Sequence, residues 1–182
     1  MRRIGLVIST AALVCAVPAM PQHHGHAAHA GHAADHAPNA YAGMQHRSIK
    51  ALSEQELQGL QAGKGMGLAM AAELNGYPGP LHVLELATAL QLSPAQLQRT
   101  QALRAEMQAE AQAVGAELIA AEAALDRLFR DKTVTPDSLS AAVAHAAQLQ
   151  GQLRATHLRY HLVMLDVLSP AQVAAYAQLR GY

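Results

Sequence analysis

The sequence predicts an all-α fold, a long antiparallel helical hairpin with short flanking helices, and three observations predict it. Apolar residues fill 51% of the 182 positions but aromatic residues only 3%. The apolar share is mostly Ala and Leu, which favour helices, and β-branched residues are few. Two long stretches, Ala95 to Lys132 and Pro136 to Val167, carry helix-period apolar residues with no breaker inside except Gly115 and Gly151. Each opens on a hydroxyl residue followed by proline, Ser93-Pro94 and Thr135-Pro136, the cap-and-first-turn pattern of a helix start.

Taken in chain order, residues 1–19 read as a signal peptide. Arg2 and Arg3 precede a short apolar run, Ile4 to Val17, and Val17-Pro18-Ala19 satisfies the small-residue rule for cleavage after Ala19. Export to the periplasm is therefore expected. The only cysteine, Cys15, lies within that run behind Val14, which does not suit lipidation, so the mature chain should lack a thiol and any disulfide. Residues 20–42 form a low-complexity tail of His, Ala, Gly, Asp and Pro. Such a composition buries too little to offset chain entropy, so disorder is expected. Residues 43–182 should hold the helical domain, with no transmembrane segment in the mature chain.

Within that domain, Ser53-Glu54-Gln55-Glu56 has capping-box form and starts a short helix to about Gln61. Gly63, Gly65 and Gly67 loosen the chain before a helical pattern resumes from Leu68 to Leu74. Asn75-Gly76-Tyr77-Pro78-Gly79-Pro80 is a turn, and a short helix is expected from Leu81 to about Gln91. The first long helix places Met107, Ala111, Val114, Leu118, Ala121, Leu125 and Leu128 on a heptad seam. Thr133 to Ser138 reverses the chain. The second long helix repeats Leu139, Val143, Ala146, Leu153, Tyr160 and Val167 on one face. Ser169-Pro170 opens a final helix with Val173, Tyr176 and Leu179. One such hairpin has a thin core, so a homodimer is expected.

The phrase Leu-Ser-Pro-Ala-Gln occurs twice, at Leu92–Gln96 and Leu168–Gln172. The pair resembles the repeated Leu-Thr-x-x-Gln motif of the Spy/CpxP family of periplasmic stress proteins, with Ser in place of Thr. The resemblance runs from about Ala42 to Tyr182. It implies an ATP-independent chaperone (holdase) scaffold that binds unfolded periplasmic proteins as a dimer, or a metal-responsive relative of the zinc-binding or nickel/cobalt-sensing kind. Metal ligands on the last long helix, implied by the sensor members, would fall at His157 and His161.

The residues themselves also point to metal. His157, His161 and Met164 are spaced four and three apart, which puts them on one helical face. Imidazole with thioether suits copper; imidazole alone also suits zinc, nickel or cobalt. A site there needs ligands from a second element. His82 and Glu85 are three apart and could share a face, and Glu73, Met66 and Met70 are further candidates, the two methionines either as copper ligands or as flexible packing. In the tail, His23, His24, His26, His29, His32 and His36 could gather copper or zinc without fixed geometry. His145 reads as a surface or packing residue.

Removing Arg2 and Arg3 leaves 11 basic residues against 13 acidic ones, with no basic stripe for nucleic acid. Neither a phosphate loop, nor a nucleophile elbow, nor a mature thiol is present, so no enzymatic activity is expected. The sequence thus leads to a metal-binding periplasmic stress protein with holdase capacity. Its rival is a heavy-metal sensor acting on a membrane signalling partner.

Overall fold

In the computed structural model, residues 39–182 are described. The expected signal segment 1–19 and the histidines from His23 to His36 lie outside the described residues. Six α-helices make up the described fold, and no strand occurs among these residues: α1 Glu54–Gln61, α2 Met70–Glu73, α3 Pro80–Glu85, α4 Pro94–Arg130, α5 Pro136–Val167 and α6 Pro170–Arg180.

The starts follow from local chemistry. Ser53, Ser93, Thr135 and Ser169 each accept a hydrogen bond from the backbone N–H three residues on, and the side chain at that third position returns the bond. Helices α3 to α6 carry Pro in the first turn, where its missing N–H costs nothing. The expected helix from Leu81 to Gln91 is shorter than its apolar pattern suggests. It closes at Glu85, and turns bonded Ala87 to Leu84 and Gln91 to Thr88 carry the chain onward. Gln91 takes a positive φ of 51°. This bend lets Leu90 enter the core while Ser93 remains free to cap α4.

Helices α4 and α5 run in opposite directions. Gln96, at the start of α4, donates to the carbonyl of Val167 at the end of α5, and further along Glu110 meets Arg159 and Tyr160. Two apolar clusters hold the bundle. Ala111, Leu118 and Ala121 of α4 close on Ala146, Leu149 and Leu153 of α5, with Leu60 of α1 laid over them. Beyond these, Leu103, Tyr160 and Met164 gather Val83, Leu90, Leu168 and Tyr176. The lone glycine of α4 has a purpose here. A Cβ on Gly115 would stand 2.7 Å from the carbonyl oxygen of Leu60, so α1 crosses α4 at the one residue narrow enough to admit it.

The expected seam needs one correction. Leu139 and Val143, placed on the core face by periodicity, are 37% and 48% exposed, as is Phe129 at 55%. Near the turn, no flanking helix among the described residues covers the pair. Among the described residues, no helix is long and apolar enough to cross a membrane.

Candidate metal centre

Where α2, the loop after it and the last three turns of α5 meet, a cleft of about 470 Å³ opens. Its walls include His157, His161, Glu73, Met66, Met70 and Met107. The two histidines project from α5 four residues apart, and both are buried. Glu73 arrives from α2, also buried. The glycine-rich segment 63–67 brings Met66 to the opposite wall.

His161 has a defined orientation. Its Nδ1 lies 2.7 Å from the carbonyl oxygen of Tyr77 and donates to it, which leaves the Nε2 lone pair bare. A backbone carbonyl fixing the far nitrogen is the usual outer support of a metal-binding imidazole. The ring rests on Gly79, where a Cβ would stand 2.7 Å from Cε1 and 2.9 Å from Nε2. The turn Asn75–Pro80 therefore has a role beyond reversal, because only glycine leaves room for the ring.

His157 is the more exposed chemically, though not to solvent. Its Nε2 is buried and has no hydrogen-bond partner among the described residues. Burial first, and then the neighbouring His161, hold its imidazole below the usual range, so it stays neutral and able to donate a lone pair. The ring packs beside Gly65, whose Cβ would lie 3.7 Å from Nδ1.

Glu73 divides its two oxygens between two tasks. Oε1 accepts from the hydroxyl of Tyr176, from Arg180 Nε at 3.2 Å and from the hydroxyl of Tyr182 at 3.3 Å. These bonds tie the end of the chain to α2. Burial, then the bond to Glu73, push the Tyr176 hydroxyl well above its ordinary value. Oε2 is buried with no hydrogen-bond partner and lies 3.7 Å from His161 Nδ1.

The other candidates fall elsewhere. Met164 is fully buried in the apolar cluster with Val83, Leu103 and Tyr176 and does not line the cleft. It lies seven residues beyond His157, roughly 10 Å along the helix axis, past the end of the cleft. Helical spacing puts it on the same face, but α3 and α6 cover that stretch. His82 reaches the cleft rim, yet its Nδ1 pairs with Glu85 Oε2 at 2.8 Å. Glu85 is exposed and outside the cleft. The two do share a face, but they meet each other. His145 is exposed.

Among the described residues, no three His, Cys, Asp or Glu side chains come together closely enough to hold an ion by themselves. The nitrogen and oxygen donors of the cleft make a partial set, and the thioethers on its walls are the remaining donors. The lining by Met107 and the contacts of the histidine rings with Gly65 and Gly79 were not foreseen from the sequence. Only the crowding of glycines around Met66 hinted at them.

Comparison with known protein families, with curated proteins and with solved structures finds no match.

Proposed function

We propose that this chain is an exported stress protein of Spy/CpxP type whose helical domain binds a transition-metal ion, copper or zinc foremost, in the cleft at His157 and His161. One observation carries the reading. Two buried polar atoms of cleft-lining residues, His157 Nε2 and Glu73 Oε2, have no hydrogen-bond partner among the described residues. Folded proteins seldom leave such atoms unpaired, because each forfeits its hydration without return. A bound cation would satisfy both.

In this reading the tail histidines collect ions and the cleft retains one. The protein works in the periplasm as a homodimer, without catalysing a reaction. Apolar residues left in solvent, among them Phe129, Leu139 and Val143, give unfolded periplasmic proteins a surface to rest on without ATP. Suppression of the aggregation of an unfolding client would support the holdase part, and no effect at several-fold molar excess would count against it.

The metal part is tested by calorimetric titration of the full chain with copper, zinc, nickel and cobalt. The tail is silenced by replacing its six histidines, His23 to His36, with Asn. One ion should still bind tightly, and His157→Ala should weaken it at least tenfold. Silencing the tail and abolishing all binding would place the metal entirely outside the cleft.

A second reading has its own support. Glu73 lines the cleft and anchors Tyr176, Arg180 and Tyr182 through Oε1. An ion drawing on Glu73 would loosen or tighten α6, as a sensor signalling to a membrane partner requires. Slower or faster amide exchange confined to α6 on metal addition would favour it.

A further inference from the structure

We propose that the cleft selects monovalent copper, with the thioethers of Met66 and Met70 joining the imidazole of His157. This rests on the metal-binding reading above and adds the identity and charge of the ion.

The two methionines lie outside the apolar core. Methionine in a protein interior ordinarily fills gaps between apolar side chains. Met66 and Met70 belong to neither apolar cluster and are 46% and 58% exposed, yet both line the cleft. Met107 differs, since it packs half-buried against the second cluster.

Their placement is also specific. Met66 holds a φ of 43° between Gly65 and Gly67. That left-handed conformation suits glycine and is adopted by a side-chain-bearing residue only at a cost. Here the residue with the side chain takes the strained position although glycines stand on both sides. The Met66 thioether lies across Gly59, where a Cβ would collide with Sδ. The Met70 thioether folds over Gly67, whose Cβ would be 3.4 Å from Sδ. Each sulfur therefore rests on a bare backbone, as each histidine ring does at Gly65 and Gly79. Of the four, Gly59 and Gly79 leave no room for a Cβ, and only Gly79 of these two lines the cleft.

Chemistry then chooses the ion. Thioether sulfur is a soft, neutral donor that favours Cu(I), whereas zinc and nickel are served by imidazole and carboxylate. The N and O donors alone do not complete a site.

The test uses the full chain carrying the tail His→Asn replacements. Cu(I) is supplied anaerobically as its bicinchoninate complex, and Zn(II) and Ni(II) are titrated in parallel. M66L and M70L, which keep volume and remove sulfur, should each weaken Cu(I) by tenfold or more and change Zn(II) by less than twofold. X-ray absorption at the copper edge of the parent chain gives a readout that needs no variant, and sulfur neighbours are expected. Cu(I) affinity within twofold of the parent in M66L/M70L, or a copper shell without sulfur, would overturn the copper proposal and leave the imidazole metal site standing. A parent that takes up none of the three ions would overturn both.

Discussion

At the scale of single residues, the fold relies on small groups placed where two elements nearly touch. Glycines at 59, 79 and 115 each face a side chain or carbonyl that a methyl group would crowd, and Gly65 lies in ordinary contact with the His157 ring. From sequence, Gly115 looked like a weak point in a long helix, and Gly65 and Gly79 looked like loop punctuation. Nothing in a linear pattern shows what stands opposite a missing Cβ, so these roles became visible only with the neighbours in place. Capping residues are the opposite case, because their partners are three positions away. Glu56 shows this, and its pH behaviour follows from it. The bonds from the Ser53 side chain, then from the Ser53 backbone, hold the Glu56 carboxyl below its ordinary value. The unfolded chain therefore binds more protons between the folded value and the ordinary one, about 4.3. The contribution is present above that range and is lost as pH falls through the folded value. Glu56→Gln can still cap but cannot titrate. The parent should exceed it in thermal midpoint near pH ~6, and the gap should close toward pH ~3. A gap of constant size would show that the charge on Glu56 contributes nothing.

At the scale of elements, the repeated Leu-Ser-Pro-Ala-Gln phrase turns out to be a joint. Each glutamine caps its own helix through Oε1, which accepts from Ser93 N–H or Ser169 N–H. Each then reaches across. Gln96 Nε2 donates to Gln172 Oε1 at 2.8 Å and to the Val167 carbonyl at 2.9 Å. Gln172 Nε2 donates to Gln96 Oε1 at 3.2 Å and to the Leu90 carbonyl at 3.1 Å. The two motifs thus fasten the starts of α4 and α6 together. The helix-start half of the motif was legible in the sequence, and so were the limits of α1, α4 and α5 to within a residue or two and the start of α6. The mutual half was not, because residues 76 positions apart give no local sign of contact. Gln96→Ala removes a cap and three bonds, two of them shared with Gln172, so a loss of about 1–3 kcal/mol is expected from chemical denaturation. In the Gln96→Ala/Gln172→Ala double variant the losses should fall short of additive, since the shared bonds are removed only once. Strict additivity would mean the two glutamines act only as separate caps.

At the scale of the whole described domain, the two apolar clusters and the cleft divide the length of the helix pair. Toward the 131–135 turn, α1 covers Leu118 and Leu149, and beyond its reach Leu139 and Val143 are left in solvent. The far half, closed by α3 and α6, supports the cleft from below through Tyr160, Met164 and Tyr176. This explains why the predicted trio of His157, His161 and Met164 separates. The same helix face passes from an open wall to a covered one within a turn and a half, and Met164 falls under the cover. Periodicity reports a face but not what lies on it. It was sufficient for the helices and for the pair of histidines, and insufficient for the donors contributed by α2 and the glycine-rich segment.

The function proposed for this domain requires that the buried imidazole at the cleft meet a metal ion. The direct measurement is imidazole nitrogen NMR of the full chain before and after one equivalent of Cu(I), repeated with Zn(II). The His157 ring nitrogens should shift first and saturate at one ion, with His161 following and His145 unmoved. Shifts confined to the tail histidines, with His157 unchanged at saturation, would contradict it.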